Sequence, residues 1–170
     1  MKTTLATLVL ASFACTGVQA AGGYLGASIG VMDNSVGGFD DATNVGVLAG
    51  YDFYNQDSLA FSVEGELTTT ASNGDVRIAG YSGSWDIDTQ AVYVAARVGN
   101  PFYVKARYGV LREDASVKAA GISASGSDSG VSWGASVGWM VTPALGLQVD
   151  GTLIEGDVNY WNAGLIYRFQ

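Results

Sequence analysis

Histidine is missing from all 170 residues. Its absence removes Ser-His and Asp-His catalysis of the usual kind. Cysteine occurs once, as Cys15, so no intramolecular disulfide can form and no cluster of His and Cys metal ligands exists. Only two prolines are present, Pro101 and Pro143, and both sit in short connections. Charged residues make up 14% of the chain, against about 25% in a typical soluble domain. Eight basic residues face sixteen acids for a net charge of −8, which leaves no basic face for nucleic acid. After the N-terminus no segment supplies the apolar run of about 20 residues that a transmembrane helix needs.

The first twenty residues have the layout of a secretory signal. Lys2 is the positive n-region, Leu5 to Ala14 the apolar core, and Val18-Gln19-Ala20 a small-residue cleavage site. Cleavage is expected after Ala20, with Ala21 as a near alternative, leaving a single domain over 21–170. Cys15 falls inside the signal, and the preceding Ser12-Phe13-Ala14 matches a lipobox poorly. The mature chain therefore has no thiol, and its stability must rest on hydrogen bonding and packing.

What the chain has in abundance is alternation. In Phe102-Tyr103-Val104-Lys105-Ala106-Arg107-Tyr108-Gly109-Val110 one parity is wholly apolar and the other carries two cations. Successive side chains of a strand point to opposite faces, so each parity is one face. The pattern predicts eight strands: Gly23–Met32, Asn44–Phe53, Ser58–Thr69, Asp86–Val98, Phe102–Leu111, Gly130–Val141, Leu145–Ile154 and Val158–Phe169. Each is close to the roughly 9–11 residues of a tilted membrane-spanning strand. Tyr54–Asp57, Gly99–Pro101 and Thr142–Ala144 read as tight turns. Asp33–Thr43, Thr70–Trp85 and Arg112–Ser129 read as long loops, with Ala119 to Gly130 a mobile tip and Asn73-Gly74-Asp75 a turn. The connection at Glu155–Asp157 is short. Short turns on one rim and long loops on the other are the layout of membrane barrels.

The apolar parity holds Leu25, Ala27, Ile29 and Val31 in the first strand, Leu59, Phe61 and Val63 in the third, and Leu145, Leu147 and Val149 in the seventh. Within the spans no position on this face is charged, and only Asp86 and Asp88 at the loop end of the fourth strand share it. The opposite parity holds Asp52, Glu64, Glu66 and Asp150 against Arg97, Lys105, Arg107 and Arg168, among Gly and Ser residues. Four acids cancel four bases. An eight-stranded barrel is just wide enough for side chains to fill, and buried charges are tolerated only when paired. The cancellation favours an inverted barrel, with the charged face in the lumen and the apolar face toward lipid. A soluble barrel or sandwich, with the charged face in water, has no need of that balance.

The aromatics fall into two bands. Tyr51, Phe53, Phe61, Phe102, Trp139, Tyr167 and Phe169 lie near the short-turn rim, and Trp85, Tyr108, Trp133 and Trp161 lie toward the other. Such bands mark the two lipid interfaces. Glu64 and Glu66 are candidates for a catalytic carboxylate pair, but neighbours on one face beside Arg and Lys read as ion-pair partners. Asp40-Asp41, Asp86 and Asp88 read as solvated loop acids rather than a Ca²⁺ site. No enzyme activity, metal or cofactor is expected.

Three segments carry a family resemblance: Gly23-Tyr24-Leu25-Gly26-Ala27-Ser28-Ile29-Gly30, Ser62-Val63-Glu64-Gly65-Glu66-Leu67 and Asn162-Ala163-Gly164-Leu165-Ile166-Tyr167-Arg168-Phe169. The mature chain resembles the small eight-stranded outer-membrane barrels, the group of the OmpA transmembrane domain and the OmpX/Ail-type proteins. The family usually ends on an aromatic residue, whereas here Gln170 follows Phe169. The resemblance implies an all-β, eight-stranded antiparallel up-and-down transmembrane β-barrel, placed in the outer membrane of a Gram-negative bacterium with both termini periplasmic. It implies membrane lipid, lipopolysaccharide and the barrel-assembly machinery as partners, and a monomer is expected. Barrel enzymes of that membrane rely on His, so the chain does not resemble them. The expected function is a structural or surface-interaction, adhesin-like role through long acidic loops, with a host or surface ligand unidentified and the lumen closed by ion pairs. The alternatives are a narrow porin-like channel for small solutes or ions and a soluble periplasmic binding barrel.

Overall fold

The computed structural model describes residues 22–34, 38–78, 81–119, 122–154 and 158–170. The signal segment, Cys15 and the Glu155–Asp157 connection lie outside them. Nine strands form among the described residues: β1 (Gly23–Asn34), β2 (Ala42–Gln56), β3 (Leu59–Ser72), β4 (Gly74–Ile78), β5 (Tyr81–Val98), β6 (Phe102–Ala119), β7 (Ile122–Met140), β8 (Leu145–Ile154) and β9 (Val158–Arg168).

Sequential strands pair antiparallel, and β1 closes the sheet on β9 from Tyr24↔Arg168 to Asn34↔Val158. β3 and β4 share one stave. β3 pairs β5 from Leu59↔Val98 to Thr68↔Thr89, and β4 continues along the same strand from Gly74↔Trp85 to Ile78↔Tyr81. The result is a closed eight-stranded antiparallel barrel, as the alternation implies. Closure leaves no unpaired edge within the spans, which a hydrocarbon environment requires.

The face question is answered by exposure. Val104, Tyr108 and Val110 of β6 are exposed, while Tyr103, Lys105 and Arg107 between them are buried. The same inversion holds in β3, where Val63 is exposed and Glu64 wholly buried, and in β8, where Leu147 and Val149 flank buried Gln148. A register shift between Asp52 and Tyr54 turns Phe53 and Tyr54 both outward while Asp52 stays inside. Phe61 packs against both rings, at centroid distances of 6.5 and 5.8 Å. At the tight turn before β6, Gly99 has φ +114°, and a Cβ there would stand 2.2 Å from the Phe102 carbonyl oxygen. Only glycine suits that position.

Two connections expected as long loops are strand instead. β6 and β7 pair without a register shift from Phe102↔Trp139 to Ala119↔Ile122, so Ala119 and Ile122–Gly130 of the stretch taken for a mobile tip lie in paired strands. β5 begins at Tyr81 rather than Asp86, and Gly74 and Asp75, read as a turn, open β4. The strands are 18 to 19 residues long in β5, β6 and β7, well beyond the roughly 9–11 that span a bilayer. The excess of about eight residues, at about 3.3 Å each, projects a sheet of β4 to β7 beyond the lipid. The physical reason is backbone pairing: Ser, Gly and Asp on both parities give no alternation outside lipid, yet their N–H and C=O groups still close the ladder.

Candidate functional site

The lumen is built in layers. At the short-turn rim Asp52 Oδ2 accepts from Arg97 at 3.0 Å and from Arg168 at 2.7 Å. Deeper, Lys105 Nζ donates to Glu64 Oε1 at 2.7 Å, and the Tyr24 hydroxyl donates to the same oxygen at 2.7 Å. Arg107 holds Glu66 with two nitrogens, at 2.7 and 3.3 Å, and donates also to Thr152 Oγ1. Lys105 and Glu64 are almost wholly enclosed. A buried pair of this kind holds because each charge has its partner and its hydrogen bonds.

Asp150 departs from the expected network. Among the described residues it has no ion pair; Ser136 and Gln148 hydrogen-bond it instead, the amide of Gln148 at 2.9 and 3.0 Å. Gln148 Oε1 in turn accepts from the Tyr103 hydroxyl at 2.8 Å. Asp150 is fixed by neutral donors because Arg107 is committed to Glu66 and Thr152.

The sequence reading missed the tyrosines. Tyr24, Tyr93 and Tyr103 point inward and are buried, and each lies under an arginine: Arg168 over Tyr24 at 4.7 Å, Arg107 over Tyr93 at 4.5 Å, Arg97 over Tyr103 at 5.5 Å. Two of the rings lie on glycines across the ladder. A Cβ on Gly50 would stand 2.2 Å from Tyr24 Cζ, and one on Gly138 would stand 2.1 Å from Tyr103 Cζ. The cue was present: Tyr93 shares the parity of Arg97, Tyr103 that of Lys105 and Arg107, and Tyr24 that of Gly26, Ser28 and Gly30.

Above the ions the lumen turns apolar. Met32, Val76, Trp85, Ile87, Leu111, Ile154 and Tyr160 form a buried cluster at the long-loop end, with Phe39 packed against it. Trp85 belongs to this roof and not to the outer aromatic band; it is 3% exposed. It has the parity of Ala91, Tyr93 and Ala95, all buried, and that parity is what turns it inward. Phe39 meets it edge-on at 6.0 Å, its Nε1 donates to the Asp40 carbonyl at 2.7 Å, and Phe39 bridges to Val76. Gly38, Phe39 and Asp40 thus lie over the roof and cover the β4 edge.

Tyr51, Phe53, Phe102, Trp133, Trp139, Trp161 and Tyr167 are exposed, and Phe169 is half-buried. Phe102 stacks on Trp139 at 5.6 Å, and Tyr167 meets Phe169 edge-on at 5.4 Å.

A closed antiparallel barrel with an apolar outer belt and a charged interior defines a membrane-spanning β-barrel. More narrowly, the chain belongs to the outer membrane protein beta-barrel domain family, whose model matches residues 3–169, and it resides in the outer membrane. Solved structures with the same fold include Ail, the attachment invasion locus protein of Yersinia pestis, at 17% identity and TM-score 0.59, covering 87% of this chain and 97% of that one. OprG from Pseudomonas aeruginosa matches at 12% identity and TM-score 0.57, over 88% and 97% of the two chains. Neisserial surface protein A matches at 16% and 0.55, over 86% and 96%. Comparison with curated proteins gives no match.

Proposed function

We propose that this barrel is a surface-interaction protein that binds an extended segment of a partner along the free edge of its protruding sheet. One observation carries the reading. Among the described residues β7 pairs with β8 only from Ser132↔Ile154 downward, and from Ile122 to Val131 its described partner is β6 alone. The segment Ile122-Ser123-Ala124-Ser125-Gly126-Ser127-Asp128-Ser129-Gly130-Val131 has no proline, no lysine and one charge. It carries no register shift, and Ile122 is 72% exposed. Edges are usually blunted by such devices; an unblunted edge takes up another strand through main-chain hydrogen bonds. The structural neighbour Ail is named for attachment and invasion, which accords with a role at the cell surface. The rival reading, a narrow channel, meets both the ion layers and the apolar roof.

Cells displaying the barrel should adhere to an immobilised unfolded polypeptide better than to the same polypeptide folded. Ser123→Lys with Ser125→Lys should remove the preference without loss of barrel from the membrane. Equal adhesion by the lysine variant, or by cells without the barrel, sinks the reading.

A further inference from the structure

The equality of four lumenal acids and four bases conceals a separation of charge. Lys105 and Arg107 face Glu64 and Glu66, two against two. The fourth acid, Asp150, is bound by Ser136 and Gln148, while at the periplasmic end Arg97 and Arg168 share the single oxygen Asp52 Oδ2. Within the lumen two guanidiniums there meet one carboxylate, and Asp57 adds a second carboxylate to the wall of the cavity at the mouth. Both guanidiniums line a cavity of about 400 Å³ that opens among the tight turns, beside Asn55, Asp57, Ser58, Asn100 and Thr142. The arginine side chains are 13% and 15% exposed, so they are fixed by the barrel wall yet reach the cavity. Arg168 Nε is buried with no hydrogen-bond partner. Tyr24 and Tyr103 beneath the guanidiniums fix their planes. Each guanidinium offers five N–H donors in a rigid fork that matches an oxyanion, and Asp52 uses one from each.

We infer that this periplasmic vestibule is a binding site for a small oxyanion of the phosphate or sulfate type, clamped between Arg97 and Arg168. The inference is independent of the sheet edge. Asp52 is the internal competitor that keeps the two cations apart from each other and ready. The chemistry is equally that of a free oxyanion and of a phospholipid headgroup folded into the mouth, and the test separates them.

The experiment follows the Arg97 and Arg168 Nε–H resonances of the full mature barrel, first in zwitterionic detergent with inorganic sulfate and with chloride at matched ionic strength as control. A saturable shift with sulfate only identifies the free ion. A shift that appears only in nanodiscs containing phosphatidylglycerol, and not phosphatidylcholine, identifies the headgroup. Arg97→Gln should weaken the response about tenfold, the usual effect of removing one charge-assisted bond. Asp52→Asn should strengthen it severalfold, because it frees both guanidiniums. A structural defect would weaken binding in both variants, so the opposite signs are diagnostic. No saturable shift with sulfate or phosphatidylglycerol, or the same change in both variants, overturns the site.

Discussion

At the scale of single residues, the lumen is held by groups that cannot be removed one at a time. Glu64 serves Lys105 and Tyr24 through one oxygen, with no solvent to replace it. Glu64→Gln leaves the Lys105 ammonium buried without its counter-charge, at a cost of about 3–5 kcal/mol. Glu64→Leu with Lys105→Met removes both charges, and it should cost less than the single change. Urea unfolding in lipid vesicles measures both; equal stability of Glu64→Gln and wild type would mean the pair contributes nothing. The glycines under the tyrosines are a second case. Tyr24 is pinned by Glu64 and lies under Arg168, so its ring cannot yield to a methyl group. Gly50→Ala should cost about 1–3 kcal/mol, the usual penalty of overpacking, and should shift the Tyr24 ring resonances. Outside the lipid, Asp114 accepts from Ser127 and from Arg112, and the Ser127 bond leads in holding its carboxyl below the usual carboxylate range. Ser127→Ala should raise that titration midpoint in an NMR pH series. A group with a lowered folded pKa stabilises above its unfolded pKa and loses that contribution as pH falls. The hairpin should therefore loosen only under acid conditions.

At the scale of elements, what the sequence disclosed depended on which solvent each strand meets. Within the lipid belt the outer face must be apolar and the inner one must not, so Phe102–Val110 and Leu145–Ile154 announced both their strand character and their facing. Above the belt both faces of β7 are wet, and Ile122–Ser129 keeps its strand pairing with no periodic trace in the side chains. The lumenal ions were legible because like parity collects them, but pairing was not. Lumen geometry, not charge count, sends Arg107 to Glu66 and leaves Asp150 to Ser136 and Gln148. Trp85 was legible by parity and was obscured by its likeness to the band-forming Trp133 and Trp161. The β6–β7 hairpin makes a prediction of its own. Ala115 and Val117 pack against the roof, so the trim stops above them: replacing 118–123 with a two-residue Asn-Gly turn should leave a barrel that still migrates anomalously on unheated gels. Loss of that folded band would show that the hairpin tip is needed for closure.

At the scale of the whole molecule, the barrel is asymmetric along its axis. The short-turn half of the lumen is polar and opens into the arginine-lined vestibule; the other half is sealed by Met32, Val76, Trp85, Ile87 and Leu111, with Phe39 and Asp40 held over them by Trp85. An ion entering from below meets groups that can replace its water as far as Thr68 and Thr89, whose hydroxyls are 2.8 Å apart. Beyond them the lining is mostly carbon, with Asn44 and Thr70 already bonded to the Ile87 carbonyl, and apolar constrictions stop ions by excluding water. The barrier to conduction therefore lies in the roof more than in the ion pairs. Wild-type protein in planar bilayers should give no persistent openings. Glu64→Gln should weaken the fold without producing steady current, because the roof remains. Trp85→Ala with Ile87→Ala empties the seal and frees the first loop, and it should admit measurable conductance at unchanged charge. Steady openings of the wild type, or current through Glu64→Gln matching that of the roof variant, would move the barrier back to the salt bridges.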